Sequence, residues 1–515
     1  MSFKIVLQTS LTIGSAIMLN AQQPNQHQTI INVINQEVNN NSQLELLATE
    51  LLDDIGPRLV GSPEMLKASD WAIAKFNDWG IKGERQDWGE WKAWQRGTST
   101  VTMTSPRVLS LDATQLAWSP TTKKAVEGEV VVLPPNSADF VNWSTTIKGK
   151  IVLISPYQSV GRPDYQLKEF ATPETYDKLK KESEEIKKNH QEYLDKIGYN
   201  QAQLAEFLEQ KGAIAIAISN WTGIMGANRI FDAKTKNIPM IDIEFEDYGL
   251  LYRLAKHNKH PKIKVDVQSQ HLGKTKTFNT IGIIEGKEKP NEYVLLSAHF
   301  DSWDGAQGAT DNGTGVITMM ETMRVLKKLY PNNKRTIIVG LWGSEEQGLN
   351  GSRAFVKDHP EMLKNIQAVF NQDNGTGRVV NISGQGFVNS YEYIGRWLNQ
   401  VPKEVSKHIE TNFPGSPSGG GSDHASFAAA GVPAFSLSSL NWGYFGYTWH
   451  TNKDTYDKII FDDVKNNVIL TATLAYLASE EENLVDREKR VMPTNDGKTA
   501  TWPEVKEPIR KGRLD

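Results

Sequence analysis

The chain has 515 residues, no cysteine, 39% hydrophobic and 23% charged residues, and a formal net charge of −4. That length calls for more than one lobe, and the composition is that of a globular chain, neither disordered nor membrane-embedded. The slight acidity argues against a nucleic-acid partner, and the missing cysteines exclude both a disulfide framework and thiolate metal ligands.

Lys4 opens a largely apolar stretch from Ile5 to Leu19, and small Ala21 precedes polar Gln22. This reads as a secretory signal peptide over residues 1–21, cleaved near Ala21, and implies a secreted or periplasmic chain. The apolar run falls short of the roughly 20 residues a membrane span requires, and no later segment reads as one. Residues 22–42, rich in Gln and Asn, are expected to form a loose arm. Helical spacing runs from Leu44 to Ile55, stopped by Gly56-Pro57, and again from Pro63 to Trp79, closed by Gly80. Trp88, Trp91 and Trp94 read as packing of this first segment, which extends to residue 115.

From 116 to 272 short strands are predicted at Gly128–Leu133, Lys150–Ile154, Ala213–Ser219 and Met240–Ile243. A charged helical insertion over 173–210 interrupts them. Such charge runs form solvated helix faces, with a lid or partner-binding arm as the alternative. From Asn279 onward strands alternate with helices: Tyr293–Ala298, a helix over 313–329, Thr336–Leu341, a helix near Ser352, Ala368–Asn371, Pro433–Leu437 and a final helix over 462–482. The fold class is therefore α/β, a mainly parallel mixed sheet sandwiched by helices, with a β-rich insert. This last domain spans 273–485, and 486–515 form a polar tail.

Three of the predicted strands end in candidate ligands. His299 and Asp301 follow the first, Glu345 and Glu346 the second, and Asp373 the third. Open α/β sheets place ligands beyond the carboxyl ends of their strands. Imidazole and carboxylate suit zinc, which binds both at about 2.0–2.2 Å. Two metals roughly 3.5–4 Å apart need a bridging carboxylate, and Asp311, in the Gly-rich turn opening a helix, is placed to bridge. Asp301 can bond the second nitrogen of His299 and fix its tautomer. Adjacent Glu345 and Glu346 cannot both point the same way, so one can coordinate while the other serves as general base.

The motifs Ser-Ala-His299-Phe-Asp301, Gly-Ala-Thr-Asp311-Asn-Gly, Gly-Ser-Glu345-Glu346-Gln-Gly, Asn-Gln-Asp373 and Trp-His450-Thr-Asn-Lys-Asp454 resemble the co-catalytic dizinc aminopeptidase family of zinc exopeptidases. They are most similar to the branch of plasma glutamate carboxypeptidase and related bacterial peptidases. The resemblance implies a cofactor of two Zn2+ ions. One would be held by His299 and Asp373, the other by Glu346 and His450, with Asp311 bridging, Glu345 as base and Asp301 orienting the imidazole. It also implies a protease-associated insert at 116–272, an N-terminal segment around Ile55-Gly-Pro-Arg58 packed on the peptidase core, and a cis bond between Asp311 and Asn312. The implied activity is hydrolysis of short peptides, as an aminopeptidase first and a dipeptidase or carboxypeptidase second. A receptor-like protein without activity and a one-zinc glutaminyl-cyclase-like enzyme are the remaining alternatives. A peptide substrate is the implied partner, and a homodimer is compatible with the sequence. Asp454 reads as a support rather than a ligand. Ser422-Asp423-His424 lacks the elbow of a serine nucleophile and is assigned a pocket or packing role. The remaining histidines are expected to face solvent.

Overall fold

The computed structural model describes residues 26–512. The signal peptide expected over residues 1–21 lies outside them. No helix among the described residues is long and apolar enough to cross a membrane.

The strands that matter, in chain order, are β1 (Lys82–Ser105), β2 (Ala113–Gln115), β3 (Val126–Val132), β4 (Ile151–Leu153), β5 (Ala215–Ile218) and β6 (Met240–Ile243). They continue with β7 (Lys262–Ile284), β8 (Lys289–His299), β9 (Arg335–Trp342), β10 (Ile366–Asn371), β11 (Val379–Ser383), β12 (Glu410–Asn412) and β13 (Ala434–Ser439). The helices that cover them are α1 (Gln26–Asn41), α2 (Pro63–Asp78), α3 (Pro173–Ile197), α4 (Gln201–Gln210), α5 (Phe245–Lys256), α6 (Thr314–Leu329) and α7 (Phe461–Glu480). The strands lie in the order β12-β11-β13-β10-β8-β9-β7-β3-β4-β5-β6-β2. β13, β10, β8 and β9 run parallel, as do β3 to β6, while β7 is antiparallel to both its neighbours.

Period-two alternation splits the apolar residues into layers. Val294 and Leu296 of β8 and Ile337, Val339 and Leu341 of β9 face α6 and α7. Leu295 and Ile338 face the opposite side, where Phe355 and Phe427 meet them. The insert repeats the pattern. Ile151 and Leu153 pack under Tyr248 and Leu251 of α5, and Val152 packs with Leu204 and Leu208 of α4 on the other face.

Two features depart from the sequence reading. The arm expected over 22–42 is helical from Gln26, because Ile31, Ile34 and Val38 line one face and pack without exposure against α6 and α7. The second is a two-stranded ribbon of β1 and β7, paired antiparallel from Lys82↔Ile283 to Ser105↔Lys262. It joins the two lobes, and the boundary expected at 272/273 falls inside β7. Trp91 and Trp94, on β1, are buried with Leu59, Val60 and Ala117 where the lobes meet.

α1 is also held electrostatically. Glu37 accepts bonds of 2.8 Å from Arg324 Nη1 and from Lys328 Nζ, and Arg324 also pairs with Glu321. Burial opposes ionisation of Glu37, but the bonds from Lys328, Arg324 and Asn41 outweigh it and hold its carboxyl at about 2, below the ordinary 4.5. A depressed folded-state pKa gives stability that is present above the unfolded value and lost as pH falls through the folded one. Urea unfolding should therefore show Glu37→Gln less stable than wild type at neutral pH, with the gap closing between pH 4.5 and about 2. A gap unchanged at pH 2 would contradict the network.

Candidate metal centre

Register decides where the ligands meet. β8, β9 and β10 are parallel, with Trp342 opposite His299 and Asn371 opposite Ser297. Their carboxyl ends therefore share one edge, where His299, the last residue of β8, meets Glu345-Glu346 and Asp373 from the turns after β9 and β10. Asp311 comes from the turn before α6, and its bond to Asn312 is cis. His450 comes from a distant loop and sits at φ 59°, a left-handed conformation uncommon outside glycine.

Two donor groups result, one of His299, Asp311 and Asp373 and one of Asp311, Glu346 and His450. His299 Nε2 lies 3.3 Å from Asp311 Oδ1 and 3.2 Å from Asp373 Oδ1. His450 Nε2 lies 3.2 Å from Asp311 Oδ2 and 2.9 Å from Glu346 Oε2. Asp311 thus presents one oxygen to each histidine. Five of the seven residues singled out in the sequence make up these groups, and Asp301 and Glu345 lie beside them.

Asp301 acts differently from the expectation. His299 Nδ1 sits 3.0 Å from the Asp301 main-chain carbonyl and 3.9 Å from its carboxylate. The carboxylate is committed elsewhere, accepting from the amides of Glu345 at 3.0 Å and Glu346 at 3.3 Å. It positions the glutamate pair, while the main chain orients the imidazole. Asp454 does similar work for the bridge, accepting from the amides of Thr310 at 2.8 Å and Asp311 at 3.0 Å. It belongs to neither donor group. Asn312 bonds the Gln372 carbonyl and the Gly315 amide.

The sequence reading missed Arg58. It is fully buried, and its guanidinium donates to the carbonyls of Phe300 at 2.8 Å, Gln307 at 2.9 Å, Gly308 at 2.8 Å and Gly56 at 3.1 Å. Burial lowers its pKa to about 10, against the opposing charges of Asp454, Asp301, Asp311 and Glu346. Gly308, at φ +64°, is required there, since a Cβ would fall 2.4 Å from the Ser302 Cβ. Only the charge next to Gly56-Pro57 could have flagged Arg58 in the sequence. The Ser422–His424 segment sits beside the pocket: Ser422 accepts a 2.8 Å bond from Asn371, and Asp423 and His424 are buried. Burial lowers His424 to about 4. Of the remaining histidines, His27, His190 and His359 are half-buried rather than solvent-facing.

The electrostatics fit divalent cations. With the protein's own charges alone, burial and neighbouring acids raise Glu346 to about 7, Asp423 and Asp454 to about 7, and Glu345 well above its usual range. Burial would lower His299 and His450, but the facing carboxylates win, raising His299 well above 6.5 and His450 to about 10. Each imidazole is thus drawn to carry positive charge where donors converge. Glu346 Oε1 is buried without a hydrogen-bond partner. Divalent cations, which take oxygen and imidazole ligands, fit such groups.

Asp311→Asn, keeping the shape but losing the charge common to both donor groups, should reduce the divalent-cation content per chain by elemental analysis; wild-type loading would contradict a shared role for Asp311. Arg58→Met should cost on the order of 3–5 kcal/mol in urea unfolding, because it strands buried carbonyls and acids. A change under about 0.5 kcal/mol, the usual surface range, would contradict this account.

Residues 279–475 match the model described as peptidase family M28. Carboxypeptidase Q from Homo sapiens is 26% identical over 452 residues, covering 87% of this chain and 87% of the relative. The solved peptidase M28 precursor from Shewanella amazonensis SB2B superposes with a TM-score of 0.66 at 24% identity, over 91% of this chain and 99% of that one. A zinc aminopeptidase from Bacillus subtilis gives a TM-score of 0.52 at 19% identity, over 87% and 97% of the two chains. These two structural likenesses bear on the fold.

Proposed function

We propose that this chain, a zinc-dependent metallopeptidase that belongs to peptidase family M28, is an exported exopeptidase that uses two zinc ions to hydrolyse short peptides. The observation that carries the reading is the membership of Asp311 in both donor groups. His299, Asp373 and Asp311 would hold one zinc, and Asp311, Glu346 and His450 the other. When bound, the pair supplies Lewis acidity toward the scissile carbonyl and acidifies water.

The chain's own residues handle the proton. The Glu345 carboxylate takes it from the attacking water and returns it to the leaving amine. Asp301, through the Glu345 amide, sets the direction of that carboxylate. Asp454 and Arg58 fix the loop that presents Asp311. Aminopeptidase action is the first reading and dipeptidase or carboxypeptidase action the second, the carboxypeptidase option being supported by the name of the carboxypeptidase Q relatives. Residues 116–272 are read as a protease-associated insert, and 1–21 as the export signal.

Glu345→Gln tests the mechanism. It should lower kcat on dipeptides by roughly 10²–10⁴-fold, the range for a general base, while zinc content stays at two per chain. Near wild-type turnover would refute the role of Glu345, and a single zinc in wild type would refute the paired centre.

A further inference from the structure

The two histidines of the metal centre are held by different means. A metal-binding imidazole ordinarily donates its second nitrogen to a carbonyl or carboxylate, which sets the direction of the ring. His299 follows that rule, with Nδ1 3.0 Å from the Asp301 carbonyl. His450 does not. Its Nδ1 is buried and has no hydrogen-bond partner among the described residues. Packing sets its ring instead, through Trp449 stacked at 3.8 Å and Phe231 of the insert edge-on at 5.3 Å. Its backbone, at φ 59°, takes a conformation that persists only where the surroundings over-determine it.

Those surroundings come from one segment of the insert, residues 228–230, which runs antiparallel alongside residues 450–452. The Ile230 amide donates 2.8 Å to the His450 carbonyl, Arg229 pairs with Thr451, and Asn228 exchanges bonds of 2.9 and 3.0 Å with Asn452. The Asn228 side chain keeps this segment in place. It is fully buried, and its Nδ2 donates to Asp242 Oδ1 at 2.5 Å, the Ile243 carbonyl at 3.1 Å and Ser219 Oγ at 3.2 Å. Ser219 follows β5, and Asp242 and Ile243 end β6. The second oxygen of Asp242 accepts the Asn220 amide at 2.8 Å. One side-chain amide thus fastens the segment to the carboxyl edge of the insert's own parallel sheet.

We propose that Asn228 is a positioning residue for His450: its side chain fixes the insert segment that holds the ligand's backbone and aims a ring whose second nitrogen bonds nothing. The inference rests on the metal reading above, and it makes the insert a structural part of the metal site.

The test measures Zn2+ affinity of the full chain, stripped by chelator and titrated in competition with a metal indicator. His450→Ala first establishes what that ligand contributes. Asn228→Ala should weaken the same affinity about 10- to 100-fold, the usual effect of losing a group that orients a metal ligand. Asn452→Ala, on the other side of the contact, should act in the same direction. The double variant should lose less than the product of the two single effects, because both interrupt one contact. Leu251→Ala, in the insert core on the face of its sheet opposite Ile230, should leave Zn2+ affinity near wild type, with circular dichroism confirming folded protein throughout. Affinity unchanged in both asparagine variants, or lowered as much by Leu251→Ala, overturns the inference and leaves the metal reading standing. Should Asn228→Ala fail to fold, Asn452→Ala decides alone. If His450→Ala binds Zn2+ as wild type does, the metal reading itself fails, and the positioning role with it.

Discussion

The structure depends on tolerating acids that repel one another in a largely buried pocket. Asp301, Asp311, Glu345, Glu346, Asp423 and Asp454 converge there beside Asp373, and burial raises the cost of ionising those six. Three devices offset that cost. Asp301 and Asp454 spend their charge on backbone amides of the neighbouring turns. Arg58 places a buried cation beneath the loop. The rest of the negative charge is left for cations, so the same excess that would destabilise a closed core becomes affinity for metal.

Convergence itself comes from two unequal sources. Parallel register supplies His299, the glutamate pair and Asp373, because strands that begin in step finish in step. Nothing so regular supplies Asp311, which needs its loop pinned. Arg58 ties four carbonyls of that region together, and Arg96 of β1 holds Asp304 with bonds of 2.8 and 2.9 Å. The N-terminal segment and the ribbon are thus parts of the site's frame.

This division explains what was legible in the sequence. Ligands after strands announce themselves, since apolar runs ending in His or acid are local patterns; His299, Glu345, Glu346 and Asp373 could be read that way. His450 and the bridging role of Asp311 needed the resemblance as well. What stayed hidden was long-range. β1 is rich in Gly, Gln, Arg and Ser and half-exposed, so its period-two signal is weak, and its partner β7 lies more than 150 residues on. α1 hides its apolar stripe of Ile31, Ile34 and Val38 among Asn and Gln. Asp301 shows the finer limit. Its spacing from His299 invited a side-chain bond, whereas the observed donors, the amides of Glu345 and Glu346, are more than 40 residues away.

The insert is the last element to place, and its bonds argue against a mere appendage. His450 holds a left-handed conformation that an unsupported loop would relax. Its carbonyl is taken by the Ile230 amide, and Asn228 and Asn452 exchange bonds of 2.9 and 3.0 Å. Glu244 grips the same loop through Asn452 at 2.9 Å and Lys453 at 3.1 Å. All three anchors lie in the insert, between β5 and the start of α5. A ligand of the metal centre is therefore held in place by a lobe whose core is separate from the one that supplies the other four. Displacement of the insert along the β1–β7 ribbon would move His450 relative to Asp311, which couples the geometry of the two donor groups to the seating of that lobe.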